Sequence, residues 1–233
     1  MSLRDQVQAE LPGVLADLKE LVAIESVSAD SARTTEVQRS AEHIVQLLAD
    51  LKCPDVSIIR AKDGAPAVLG RFPAPEGKPT VCLYAHHDVQ PEGDPAAWRT
   101  PPFVATELEG RLYGRGVTDD KGGFAVHLAA LRAFGGKPPV GVTVFVEGEE
   151  EIGSPTLPQL LEDHYAELAA DVFVITDSDN WAVGPASLHH LPPRPRSLHG
   201  GGPDSRPRSA FRGLRRGRTR CPHNALSSSR VPA

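Results

Sequence analysis

The sequence is poor in aromatic rings: seven Phe, three Tyr and two Trp make up 5% of it. So thin a set argues against a base-stacking surface, and nucleic acid is not expected as a partner. Cysteine is scarcer still. Cys53, Cys82 and Cys221 are far apart, odd in number, and form no Cys-x-x-Cys pair. That excludes a disulfide framework and a thiolate zinc site, and it favours a reducing, cytoplasmic setting. No stretch is long and apolar enough to span a bilayer, so no membrane partner is expected. Met1 to Glu25 is amphipathic and contains acids, without the basic start and apolar middle of a signal peptide.

The formal net charge of -5 hides an uneven distribution. Acids dominate up to Leu188. Beyond it the only acid is Asp204, lysine is absent and arginine is abundant. The chain therefore divides near His189 into two compositional regimes. Residues 189–233 form an irregular C-terminal tail rich in Arg, Pro and Gly, with little to bury and disorder as the expected state. The 40% apolar content is ordinary for a globular chain, and the length suits one α/β domain, or one domain and part of a second.

Apolar periodicity predicts a helix from about Leu3 to Ile24, buried through Val7, Leu11, Val14, Leu15, Leu18, Leu21 and Val22, with Pro12 interrupting or kinking it. A second amphipathic helix runs from Thr35 to Leu51. Short apolar runs follow at Val56 to Ile59, Ala67 to Leu69 and Val81 to Ala85. Further on, Lys121 to Phe134 reads as helix, Val142 to Val146 as strand, Thr156 to Leu168 as helix and Val172 to Ile175 as strand. Strands alternating with helices indicate an α/β fold with a mostly parallel sheet flanked by helices.

Four segments carry oxygen and imidazole donors. Tyr84 to Pro91 (YAHHDVQP) leaves a buried strand, and alternation puts His86 and Asp88 on one side of it. A neutral imidazole is a good metal ligand, and a carboxylate beside it fixes its orientation; a plain turn at Pro91 is the competing explanation. Gly114 to Gly123 (GRGVTDDKGG) runs into a helix, and its adjacent Asp119 and Asp120 are costly to hold together without a cation. Thr118 or Asp119 as a helix N-cap would also explain it. Glu147 to Ser154 (EGEEEIGS) puts four acids into five residues at the end of a strand, against the alternative of a solvated acidic turn. Asp171 to Trp181 (DVFVITDSDNW) again ends a strand in carboxylates, as a cap or Asx turn would. Three of the four open from carboxyl ends of strands, where open α/β sheets bind ligands. The donor mix suits zinc, manganese or cobalt.

Taken in order, these segments resemble metallopeptidase family 20, which includes carnosinases, glutamate carboxypeptidases and acyl-amino-acid deacylases. YGRGVTDDKG and HHDVQP point to its dipeptidase branch. The resemblance implies an incomplete zinc-peptidase-like catalytic domain over residues 1–188. It implies two divalent metal ions, with zinc first. His86 and Asp177 would bind one ion and Glu151 the other, with Asp119 bridging both and a cis peptide bond after it. Asp88 would orient His86, and Glu150 would be the general base. Glu149 would be an extra flanking acid. The implied reaction is hydrolysis of an amide bond in a dipeptide or an N-acyl amino acid by a water activated between the metals.

The family's lid domain and last histidine ligand have no counterpart after Leu188, so impaired activity and loss of dimerisation through the lid are expected. The tail has the composition of GC-rich coding sequence read out of frame. Shifted by one base, codons for His189 to Arg196 permit Ser-Leu-Arg-Gly, a segment that the dipeptidases carry at this point. A frameshifted, truncated product follows as an expectation. A metal-binding remnant or interaction protein without catalysis is the alternative in another class, and nucleic-acid binding by the arginine-rich tail is a third reading, which the acidic body and the lack of patterned aromatics disfavour.

Overall fold

A computed structural model describes residues 1–178 and Ser187. The tail at 189–233, with its expected origin and disorder, lies outside the described residues.

Helix α1, Leu3–Val22, opens on a reciprocal cap in which Ser2 Oγ accepts from the Asp5 N–H and the Asp5 carboxylate accepts from the Ser2 N–H. Pro12 lies inside it without interrupting it. Pro12 and its neighbours Leu11 and Gly13 are exposed, so water can serve the carbonyl that the missing N–H leaves free. The buried stripe is narrower than the sequence suggests: Val14, Leu18, Leu21 and Val22 face inward, while Leu11 and Leu15 stay exposed. Helix α2, Thr34–Asp50, buries Val37, Ala41, Ile44, Leu47 and Leu48.

Strands β1 (Asp55–Ile59), β2 (Ala67–Phe72) and β3 (Thr80–His86) follow, then a small hairpin of β4 (Thr106–Leu108) and β5 (Arg111–Tyr113) that apolar patterning does not reveal. Helix α3 is Lys121–Ala133 and strand β6 is Gly141–Glu147. The helix expected over 156–168 is divided into α4 (Leu157–Asp163) and α5 (Tyr165–Leu168). The break falls at His164, whose φ of -111° leaves the helical region and whose ring pairs with Glu167. Strand β7, Val172–Ile175, is the last described.

The main sheet has the order β1-β2-β6-β3-β7. β2 is antiparallel to β1 and β6, and β3 is parallel to β6 and β7, so all strands but β2 run the same way. Leu21, Ile44, Leu48, Phe124 and Leu128 from the helices pack with Val68, Ala85, Val144 and Val146 of the sheet in one core. A second cluster joins Val14, Leu18 and Val22 of α1 to Ala125 and Ala129 of α3. Register then places the chemistry. His86 lies opposite Glu147, and Tyr84 opposite both Phe145 and Ile175. Three parallel strands therefore end at nearly one level, and their carboxyl ends share a rim.

Candidate metal centre

His86 is the last residue of β3 and is fully buried. Its Nδ1 lies 3.0 Å from the Asp88 carbonyl oxygen, and its Nε2 3.0 Å from Asp119 Oδ1. Burial alone would lower its pKa, but the Asp119 and Asp88 carboxylates prevail and hold it up at about 12. One donor atom each from His86, Asp119 and Glu151 fall within 4.8 Å of one another.

The peptide bond between Asp119 and Asp120 is cis. It leads into α3, for which Asp120 is the N-cap position with no side-chain cap bond, so neither Thr118 nor Asp119 fills that role. The Asp120 carboxylate instead turns back to accept from the His86 N–H at 3.2 Å through Oδ2. Its Oδ1 is buried with no hydrogen-bond partner, and burial raises the group to about 7.

Asp88 is buried and joins two of the segments. Its carboxylate accepts from the N–H groups of Glu150 (3.2 Å) and Glu151 (3.1 Å) and from Ser28 Oγ (2.6 Å). Its Oδ1 lies 3.5 Å from His86 Nδ1, so its backbone carbonyl is the closer partner of the ring. Burial opposes its ionisation, yet His86 and Ser28 keep it below the usual carboxylate range.

Glu150 and Glu151 open a short 3-10 turn, Glu150–Ile152, just beyond β6. Burial raises both carboxyls, that of Glu151 to about 7. His86 works against the rise at Glu150, while Asp177, Asp88 and Asp119 add to it. Asp177 follows β7 by two residues and stays outside the 4.8 Å group, but its charge also reaches Asp120.

The acidic run is not a solvated turn. Glu149, expected as a spare acid, is buried and accepts from the Thr156 N–H, Thr156 Oγ1 and the Ala65 N–H. Glu147 is buried and accepts from Tyr84 Oη at 2.8 Å. Gly148 between them admits no side chain, because a Cβ there would overlap Pro66 O and crowd His87 Nε2.

Sequence reasoning missed several supports. Ser26 Oγ donates to the His87 carbonyl and Ser28 to Asp88, and no local pattern marks either serine. Lys121 is buried and donates to the Leu21 and Ile24 carbonyls at 2.8 and 2.7 Å, closing the end of α1. Gln90 bonds Glu151, and its place two residues beyond Asp88 was the available signal.

This donor set fits a divalent cation. It combines an imidazole with carboxylates, lacks thiolates, and sits beside an orphaned buried carboxylate oxygen. The sequence profile described as peptidase family M20/M25/M40 matches residues 82–197. Those residues belong to that family. It is 36% identical over 177 residues to the Beta-Ala-His dipeptidase of Homo sapiens, covering 70% of this chain and 35% of that one. It is 34% identical over 182 residues to the cysteinylglycine-S-conjugate dipeptidase of Corynebacterium striatum, covering 76% and 40%. Among solved structures, human carnosine dipeptidase 1 is similar with a TM-score of 0.69 and 32% identity, covering 76% of this chain and 40% of that one. The dipeptidase Dug1p of Saccharomyces cerevisiae gives a TM-score of 0.68 and 29% identity, covering 75% and 40%. The chain thus spans about 40% of the length of these relatives. Among the described residues no helix is long and apolar enough to cross a membrane.

Proposed function

We propose that this chain carries the metal-binding core of a dipeptidase that hydrolyses the amide bond of dipeptides or N-acyl amino acids. The observation that carries the reading is the convergence of His86, Asp119 and Glu151 donors at the level where parallel strands end. His86 and Asp177 would hold one ion, Glu151 the other, and Asp119 both. Zinc is the first candidate, with manganese and cobalt open to the same donors. When bound, such ions polarise a carbonyl and make water acidic enough to be deprotonated near neutral pH.

The remaining work belongs to side chains. Glu150, half-buried and within reach of the His86 and Asp177 charges, takes the proton from the attacking water and returns it to the leaving amine. Asp88 fixes the backbone from which Glu150 and Glu151 project, through their two N–H groups. The Asp88 carbonyl holds His86 Nδ1, which leaves Nε2 directed toward Asp119.

The same donors could hold a metal without turnover, and that is the second reading. We further infer that residues 189–233 are read out of frame, which the gene sequence across the codons for Leu188 and His189 tests directly. Two measurements on purified protein test the function. Bound zinc should be present and should fall in Asp119→Ala, and equal content in both would refute the ligand assignment. Metal-dependent turnover of a dipeptide, lost in Glu150→Gln, would establish hydrolysis; metal binding without turnover leaves the second reading.

A further inference from the structure

Beyond β3 the side chains of successive residues alternate in what they touch. His87 and Val89 face inward: His87 Nε2 lies 2.9 Å from Pro66 O, and Val89 is fully buried in a bridge with Val27. His86, Asp88 and Gln90 face the other way, toward Glu150 and Glu151. A ring nitrogen of His86 lies within 4.8 Å of the Glu151 carboxylate, and Asp88 accepts from both backbone N–H groups. Gln90 takes the side chain that remains. Its backbone N–H donates to Glu151 Oε1 at 3.2 Å, and its Nε2 donates to Oε2 at 2.7 Å and to the Glu151 carbonyl at 3.0 Å.

We propose that Gln90 is a positioning residue for Glu151, presetting that carboxylate for a divalent cation and so setting the affinity of the centre. The inference builds on the metal-binding reading above. Both Glu151 oxygens are held from the side of Gln90. An ionised carboxylate has about four acceptor sites, so each oxygen keeps one for a cation. The amide is neutral and presents only N–H groups to the carboxylate, so it orients Glu151 without competing for the ion. Without it, a long side chain with several rotatable bonds would have to be ordered by the metal itself. Gln90 is exposed, so its removal leaves the packed core untouched.

The test is a zinc titration of the full chain against a chromophoric chelator, comparing wild type, Gln90→Leu and Asp119→Ala, with melting of each metal-free protein. Gln90→Leu should bind zinc about 10–100-fold more weakly while its metal-free melting stays that of wild type. Wild-type affinity in Gln90→Leu would overturn the positioning role and leave the metal centre standing. Weaker binding accompanied by an equally lowered metal-free melting temperature would also overturn it, as a general structural effect. No zinc binding by wild type would overturn the metal centre and this inference with it.

Discussion

Replacing Asp88 by alanine tests the architecture without any metal present. The side chain is fully buried and serves three donors: Ser28 Oγ at 2.6 Å and the N–H groups of Glu150 and Glu151 at 3.2 and 3.1 Å. A hydrogen bond to a charged acceptor contributes about 1.5–3 kcal/mol, and the two long amide contacts belong at the weak end. The gross loss is therefore about 4–6 kcal/mol. Part of it is offset, because a buried carboxylate no longer has to be desolvated and water can reach the half-buried turn at Glu150. A net loss of about 3 kcal/mol remains. For a domain of this size that lowers the melting temperature by about 6–12 °C. Ser28→Ala removes one of the three donors and should cost about 1–2 kcal/mol. Asp88→Asn should fall nearer to alanine than to wild type, since its NH2 group faces donors. Urea unfolding followed by circular dichroism, with chelator present, measures all three. A loss below about 1 kcal/mol in Asp88→Ala would refute the reasoning. So would a Ser28→Ala loss equal to it, because the carboxylate would then serve the serine alone.

Burial pushes the Glu147 carboxyl up to about 7. Between about pH 4.5 and 7 the folded protein keeps a proton that the unfolded chain releases, so stability falls across that window by up to about 3 kcal/mol. Glu147→Gln retains an acceptor for Tyr84 and should exceed wild type in stability at pH 8 but not at pH 4.5; a gap that does not widen with pH would contradict this. Gly123→Ala should destabilise, although alanine normally favours a helix by about 1 kcal/mol, because the new Cβ would overlap Asp120 Oδ1 and Thr176 Oγ1. Thermal melting that shows a gain instead would disprove that crowding. Zinc added to chelator-treated protein at about 100 times its Kd should contribute about 2.7 kcal/mol of stability. That corresponds to about 5–10 °C in melting temperature, and Asp119→Ala should lose most of the rise; identical melting with and without zinc would refute the centre.

Elements with a strong apolar pattern were legible in the sequence. α2 and α3 lie within a residue of their expected bounds because their apolar residues repeat as a buried helix face requires, and β6 and β7 do so as short continuous apolar runs. The β4–β5 hairpin was not, since three-residue strands are too short to alternate visibly. Its turn at Glu109 and Gly110, with φ of 54° and 71°, was the one local cue. In the centre, the resemblance to family 20 singled out His86, Asp119 and Glu151, whose donor atoms lie together, and Asp177, which stays outside that group. What the sequence could not supply was the partner of each support. Ser28 meets Asp88 across 60 positions, and Lys121 meets Leu21 across 100. Such pairings follow from sheet register and helix docking, and no spacing rule encodes them. Glu149 shows the same limit: it is indistinguishable from its neighbours in the acidic run until Thr156 and Ala65 are seen against it.

The charge around the centre is what separates it from an acidic surface. Surface acids move apart and hydrate, whereas Asp88 and Asp120 are buried and tied by hydrogen bonds to the turn after β6 and to the end of β3. Asp120 is fully buried with an orphaned oxygen. Asp120 and Glu151 are both raised to about 7 by burial first of all, and the neighbouring Asp119 charge adds to each. The cations nearby are committed elsewhere. Lys121 faces the end of α1, Arg33 pairs with Glu92, and Arg115 stacks on Trp98 while donating to the Pro91 carbonyl. Only the His86 ring, among the described residues, brings a positive charge into direct contact with the Asp119 carboxylate. Without a metal, protons shared among His86 and the raised carboxyls must balance the cluster. A divalent ion does so with a smaller, denser charge, and every proton it displaces couples its binding to pH. The fold thus holds carboxylates together against their own repulsion, an arrangement that costs stability unless a cation completes it.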